Sequence, residues 1–265
     1  MKILKEFGLT EPQLRKILSG NKRIPQVIKS QMTNKKFYFG VVSDTHLGSN
    51  FEKLDELHTF YSICKKMRIK NILHAGDIVA GQGIYRGQEN EIHTFGATKQ
   101  ADYVIKKYPF IKGIKTYFIT GNHCLAYWRQ NGVDIGKLIS EKRKDMLYLG
   151  QYQGDVFLNG IKIRLIHPDG AGAYAISYKL QKIAEQIPSG EKPQVLIAGH
   201  YHTSLYFFYR NMHLLQAGAF EGQNSYLLRK GINPSIGGWT VEVRISGDKK
   251  GSLVAFVPCW IPFFS

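Results

Sequence analysis

No apolar run in this 265-residue chain approaches the roughly 18 residues that a membrane-spanning helix requires, so no membrane association is expected. Cysteine is scarce. Cys64, Cys124 and Cys259 are odd in number and far apart, which excludes a disulfide framework and a zinc knuckle and suits a reducing compartment. The opening Met1-Lys2-Ile3-Leu4-Lys5-Glu6 has neither the long apolar stretch nor the small-residue cleavage site of a secretory signal, and a cytoplasmic location is expected. Internal repeats and low-complexity tracts are missing too. Negative charge is in short supply, with 20 Asp and Glu against 36 Lys and Arg, a formal net charge of +16. An excess of that size points to a polyanionic partner, because neutralisation of phosphates by Lys and Arg drives non-specific nucleic-acid affinity. Solubility alone is the plainer explanation.

What is present has the composition of a globular protein, 43% hydrophobic, and the length allows one large domain or one domain with an appendage. The short apolar stretch Phe37-Tyr38-Phe39-Gly40-Val41-Val42-Ser43 reads as a buried strand and runs straight into Asp44-Thr45-His46. The same grammar recurs. Asn71–Ala75 ends in Gly76-Asp77, Lys115–Thr120 in Gly121-Asn122-His123, Ile161–Ile166 in His167, and Gln194–Ala198 in Gly199-His200-Tyr201-His202. Five apolar strands that each deliver Asp, Asn or His at the carboxyl end are expected to build one polar site.

Around these strands the pattern is mixed. Residues 1–34 are expected to form a helical extension: Thr10-Glu11-Pro12-Gln13 is a helix start, Leu14, Ile17 and Leu18 form an apolar stripe, and Gly20-Asn21 stops it. With Ile3, Leu4 and Phe7 this makes a helix-turn-helix-like pair carrying Arg15, Lys16, Lys22 and Arg23. A DNA-binding head and a helical arm packed on the main domain are both open; the arm is favoured, since a DNA-reading unit needs a third helix for its own core. Helices are also expected over Glu52–Met67, near Glu89–Tyr108 (Ile92 and Phe95 inward), around Asp134–Lys144, and over Tyr174–Ile187 with Ile176 inward. Asn159-Gly160 predicts a hairpin, the last 65 residues read as β-rich, and the Gly-rich loop 79–87 fits no phosphate-binding spacing and reads as a mobile flank of the site. Residues 35–265 together predict an α+β fold, a two-sheet sandwich with outer helices.

Carboxylate, imidazole and amide oxygen suit borderline divalent ions such as Mn, Fe or Zn. In order and rough spacing, Asp44-x-His46, Gly76-Asp77, Gly121-Asn122-His123, His167 and Gly199-His200-x-His202 resemble the motifs of the calcineurin-like metallophosphoesterase superfamily, over about residues 36–220. Asp44-Thr45-His46-Leu47-Gly48 is in addition similar to the opening motif of its SbcD-type double-strand-break repair nucleases. The resemblance implies two divalent metal ions, Mn foremost with Fe or Zn as alternatives. Asp44, His46 and His202 would hold one, Asn122, His167 and His200 the other, with Asp77 between them. It also implies in-line attack on phosphorus by hydroxide held by the pair, with His123 protonating the leaving oxygen as general acid.

Two departures from the family pattern bear on that acid. Cys124 stands where an Asp or Glu commonly follows Gly-Asn-His, and Ala80 stands where protein phosphatases carry an Asp. A backbone carbonyl is one way to hold His123 in their absence, and a protein phosphatase is not expected. His74, on the strand before Asp77, reads as packing, and His58, His93 and His213 as ordinary histidines. The leading expectation is a phosphodiesterase acting on DNA or RNA. A small-molecule phosphodiesterase or phosphatase, and a DNA-binding protein with a vestigial metal site, are the alternatives.

Overall fold

Alternation builds the centre of this molecule. In the computed structural model the described residues are 26–28 (backbone only), 36–170, 172–246 and 252–264. The strands are β1 (Gln26–Ile28), β2 (Lys36–Val42), β3 (Asn71–His74), β4 (Lys115–Thr120), β5 (Met146–Gln151), β6 (Gln153–Leu158), β7 (Ile161–Ile166), β8 (Val195–Ala198), β9 (Ser204–Tyr209), β10 (Met212–Ala217), β11 (Gly237–Ile245) and β12 (Leu253–Pro262). The helices are α1 (Leu54–Lys66), α2 (Ala97–Lys107), α3 (Asn122–Asn131), α4 (Ile135–Lys142), α5 (Tyr178–Gln186) and α6 (Ser225–Arg229).

Two six-stranded sheets face each other, one ordered β1-β6-β7-β8-β10-β9 and the other β12-β11-β2-β3-β4-β5. On β2, Phe37, Phe39 and Val41 point into the layer between the sheets, while Tyr38 and Val42 point outward under the helices. On β8, Val195 and Ile197 meet that same layer, while Leu196 and Ala198 pack under Leu180 and Ala184 of α5. Strands buried on both faces read as continuous apolar runs, which is why these were legible. The expected two-sheet sandwich flanked by helices is the architecture found. β2, β3, β4 and β5 run parallel, as do β7, β8 and β10, so the carboxyl ends of β2, β3, β4, β7 and β8 carry the polar residues toward one edge.

Several expectations need correction. The single helix near Glu89–Tyr108 is a short 3-10 turn, Gln88–Asn90, followed by α2, whose N-cap Gly96 has φ 88°. Ile92 is buried, but Phe95, ahead of that glycine break, is exposed. Likewise α5 starts only at Tyr178, leaving Ile176 exposed, and Met67 at the end of α1 is exposed. Helix α3 and strand β5 were not anticipated. The hairpin is present: β6 and β7 are antiparallel, and Asn159 and Gly160 both have positive φ, as a two-residue hairpin turn requires. β12 extends through Pro262, so the aromatic tail continues a strand, with Trp260 against Trp239 and Phe263 against Phe220. The helical pair expected within residues 1–25 lies outside the described residues. Gln26–Ile28, within the expected extension, pair in parallel with Val156–Leu158 of β6.

Candidate metal centre and active site

Strand ends that must turn sharply place the polar residues. Asp44, His46, Asp77, His200 and His202 all have positive φ, between 42° and 79°. Such left-handed backbone is uncommon outside glycine and concentrates where surrounding structure over-determines it. Here it is held by loop-to-loop hydrogen bonds: Asp44 N–H donates to Gly76 O at 3.0 Å, His46 N–H to Asp77 O at 3.1 Å, and Phe220 N–H to Asp44 O at 3.0 Å. Gly76 and Gly121 serve the same end by absence of a side chain. A Cβ at either position would collide with the His167 ring, and at Gly121 also with Asp77 Oδ1.

The side chains converge. Asp44 Oδ1 lies 3.4 Å from His202 Nε2, 3.7 Å from His46 Nε2 and 3.9 Å from His167 Nε2. His46 Nε2 and His202 Nε2 are 3.3 Å apart. His167 Nε2 is 3.0 Å from Asp77 Oδ2, and His200 Nδ1 is 3.0 Å from Asn122 Oδ1. Asp44, His46 and His202 form one group whose ligand atoms lie within 4.8 Å of one another, and Asp77, His167 and His200 form a second. Asp77 also joins His46 and His123 in a third, so its carboxylate reaches both sides of the cluster. The structure therefore brings together all eight residues singled out in the sequence.

Electrostatics tests whether a cation fits. His167 Nδ1–H donates to Ala75 O at 2.8 Å, which leaves the buried Nε2 facing the carboxylates of Asp44 and Asp77, as a lone pair for a cation or, once protonated, as a donor to Asp77 Oδ2 at 3.0 Å. His200 repeats the arrangement: Nε2–H donates to Gly170 O at 2.8 Å, and Nδ1 faces the amide oxygen of Asn122. Lone pairs turned on anionic or carbonyl oxygens repel unless a cation sits among them, and a backbone carbonyl on the far nitrogen is the usual way a metal-binding imidazole is oriented. Where only protons are available, the same field acts on them. Burial disfavours charge on His46, but Glu221, Asp44 and Asp77 outweigh it and push its imidazole up to about 9. His167 is pushed up to about 9 against burial by Asp77 and Asp44. Burial alone would raise the two carboxyls, yet neighbouring histidines, His202 and His167 for Asp44 and His167 and His123 for Asp77, hold both below the usual range. The N,O donor set fits a borderline divalent ion.

His123 sits at the start of α3. Its N–H donates to Asp77 Oδ1 at 2.9 Å, its ring stands edge-on to that of His46 with centroids 4.3 Å apart, and its Nδ1–H donates to Ala80 O at 2.6 Å. The main-chain carbonyl of Ala80 thus holds the ring, and no acidic side chain among the described residues takes that place. Burial, then the charge on His46, push this imidazole down to about 3. Cys124 takes no part: it points into the core beneath α3, and burial pushes its thiol up to about 12.

Two residues do more than their sequence context suggested. His74 is fully buried, and burial pushes it down to about 3. Its Nδ1 accepts from Gly76 N–H at 3.2 Å and its Nε2–H donates to Thr45 Oγ1 at 3.2 Å, so it braces both ligand loops at once. Glu221 was missed. Its carboxylate is 3% exposed, 3.8 Å from His46 Nε2, with a 3.4 Å hydrogen bond from Asn224. No motif marks it; it arrives through a β-bridge to Glu52 and the Phe220–Asp44 hydrogen bond. His58 and His93 are exposed, and His213 stacks on Phe256 in a three-ring cluster with Tyr206.

The cluster opens into a cleft of about 580 Å³, with His46, Asp77, Asn122, His123, His200 and His202 on its walls beside Tyr85, Tyr174, Tyr226 and Lys230. The profile of the calcineurin-like phosphoesterase superfamily domain matches residues 38–230. The chain is 25% identical to the DNA polymerase II small subunit of Archaeoglobus fulgidus, over 81% of this chain and 54% of that protein. It is 24% identical to the protein of the same name from Methanothermobacter thermautotrophicus, over 80% and 53%. The chain thus spans about half the length of the curated relatives it matches. Among solved structures, an archaeal phosphodiesterase aligns over 85% of this chain and 100% of its own, with TM-score 0.47 and 13% identity.

Proposed function

The chain belongs to the calcineurin-like phosphoesterase superfamily, and from that membership we propose that it is a divalent-metal phosphodiesterase acting on nucleic acid. The observation that carries this reading is the buried His167 Nε2 held between the carboxylates of Asp44 and Asp77, a place that suits positive charge. Asp44, His46 and His202 would hold one ion and Asn122, His167 and His200 a second, with Asp77 reaching both; Mn is the ion of choice, with Fe or Zn as alternatives. When bound, such ions acidify water and neutralise charge that builds on the phosphoryl oxygens.

The chain's own groups do the rest. Ala80 O fixes the His123 ring through Nδ1–H, leaving Nε2 as the nitrogen free to exchange a proton. A phosphodiester anion beside it favours the protonated imidazole, so the proton that His123 passes to the leaving oxygen is taken up with substrate. The formal charge of +16 and two relatives named as DNA polymerase subunits support a nucleic-acid substrate. The test is one activity screen on Mn-loaded protein. Hydrolysis of single-stranded DNA or RNA at low salt, abolished by EDTA and restored by Mn, is expected. Cleavage of a nitrophenyl phosphodiester with all nucleic acids left intact would instead identify a small-molecule phosphodiesterase, and cleavage of neither a vestigial site.

A further inference from the structure

Beside the cluster, the cleft carries aromatic surface that the reaction does not use. Tyr85 and Tyr226 stack on each other with ring centroids 5.2 Å apart and planes 25° from parallel. Tyr226 is exposed, and Lys230 Nζ lies 5.8 Å from its ring centroid. Tyr174 lines the same cleft and is fully exposed. Large apolar rings left in water need an explanation when they are grouped, and here they lie against a candidate phosphoester site.

The ring pair is held in place. Tyr85 O–H donates to Glu91 Oε2 at 2.7 Å, and the other oxygen of Glu91 accepts from Ser225 N–H at 3.0 Å, so one carboxylate ties Tyr85 to the helix bearing Tyr226. The Gly-rich loop that carries Tyr85 is pinned as well. Gln88 accepts from Ile84 N–H and donates to Ala80 O, and Gln100 both accepts from Gly81 N–H and donates to Gly81 O. These hydrogen bonds tie the loop to Ala80 and to α2.

A rigid ring with a neighbouring ammonium group, beside a place for phosphate, is the chemistry that takes a nucleobase and its backbone together. Bases in a duplex are already stacked on both faces and hidden from such a ring. We infer that the Tyr85–Tyr226 pair is a stacking platform for an unpaired base flanking the scissile phosphate, so that this cleft takes single-stranded nucleic acid. Tyr174 offers a second ring to a neighbouring base, and Lys230 a charge to the backbone. This inference rests on the nucleic-acid phosphodiesterase reading above and names its substrate more closely.

The test compares equilibrium binding of three probes to the full chain in Ca-containing buffer by fluorescence anisotropy: a dT oligonucleotide, an abasic strand of the same length and charge, and a blunt duplex. The wild-type protein is expected to bind the dT strand about 10-fold more tightly than the abasic strand, and more tightly than the duplex. Tyr226→Ala should erase that preference and Tyr226→Phe, which keeps the ring, should retain it. Equal binding of dT and abasic strands by the wild type overturns the platform, as does a preference that survives Tyr226→Ala or is lost in Tyr226→Phe. Hydrolysis of bis(p-nitrophenyl) phosphate by the Mn-loaded wild type separates the two readings. Turnover without base preference removes the platform and leaves the phosphodiesterase; no turnover of any ester removes the phosphodiesterase reading itself.

Discussion

At the scale of single residues, the site is defined by which atom of each imidazole is already committed. Ala75 O, Gly170 O and Ala80 O each take one ring N–H, from His167, His200 and His123, and so aim the other nitrogen at the cluster. His123→Asn removes the proposed proton donor while leaving every proposed metal-binding side chain in place. Its kcat is expected to fall by about 10²- to 10⁴-fold, with metal content by elemental analysis unchanged. Glu221 is a different kind of residue, a buried carboxylate beside His46 that lends negative charge to the first group. Glu221→Gln should weaken Mn binding by about 10-fold in a calorimetric titration, and no weakening would make that carboxylate a bystander.

At the scale of elements, the hairpin of β6 and β7 carries a paired charge that its turn places in register. Asp155 and Arg164 stand opposite each other, and Arg164 donates Nε–H to Oδ1 at 2.7 Å and Nη2–H to Oδ2 at 2.9 Å. Partial burial works against the charge on Asp155, but Arg164 and Lys162 prevail and hold its carboxyl below the ordinary range. A folded-state pKa lowered in this way adds stability above the unfolded carboxyl's value, near 4, and that stability disappears as pH falls through the folded value. Asp155→Asn is therefore expected to cost about 2 kcal/mol at pH 7 by urea denaturation, with the difference from wild type shrinking below about pH 4. A difference at pH 3 undiminished from its size at pH 7 would assign the loss to packing instead of charge.

At the scale of the whole molecule, two sheets converge their strand ends on one edge, in a chain whose formal net charge is +16. Phosphate contacts by Lys and Arg release counterions, so binding of a single-stranded oligonucleotide should weaken by about 10-fold or more between 50 and 200 mM salt. Anisotropy titrations at several salt concentrations measure the slope; a flat response would mean that the charge serves solubility. The same packing explains His74: only the pairing of β2 with β3 sets it between Thr45 and Gly76.

Local sequence determined the strands that end in Asp44, Asp77, Asn122 and His200, because strands buried on both faces are apolar over most of their length and their polar ends stand out; the strand that ends in His167 is legible instead from the alternation of Ile161 and Ile163 with Lys162 and Arg164. It determined the hairpin turn at Asn159-Gly160 for a similarly local reason, since few residue pairs accept two consecutive positive φ angles. Tertiary structure alone decided the rest. The capture of His123 by the Ala80 carbonyl, the turning of Cys124 into the core, the arrival of Glu221 beside His46 and the stacking of Tyr85 on Tyr226 all join residues that lie on different elements, or depend on which face of a helix meets the sheet. Such distances are set by how two sheets and their covering helices pack, and no periodicity in the chain records them.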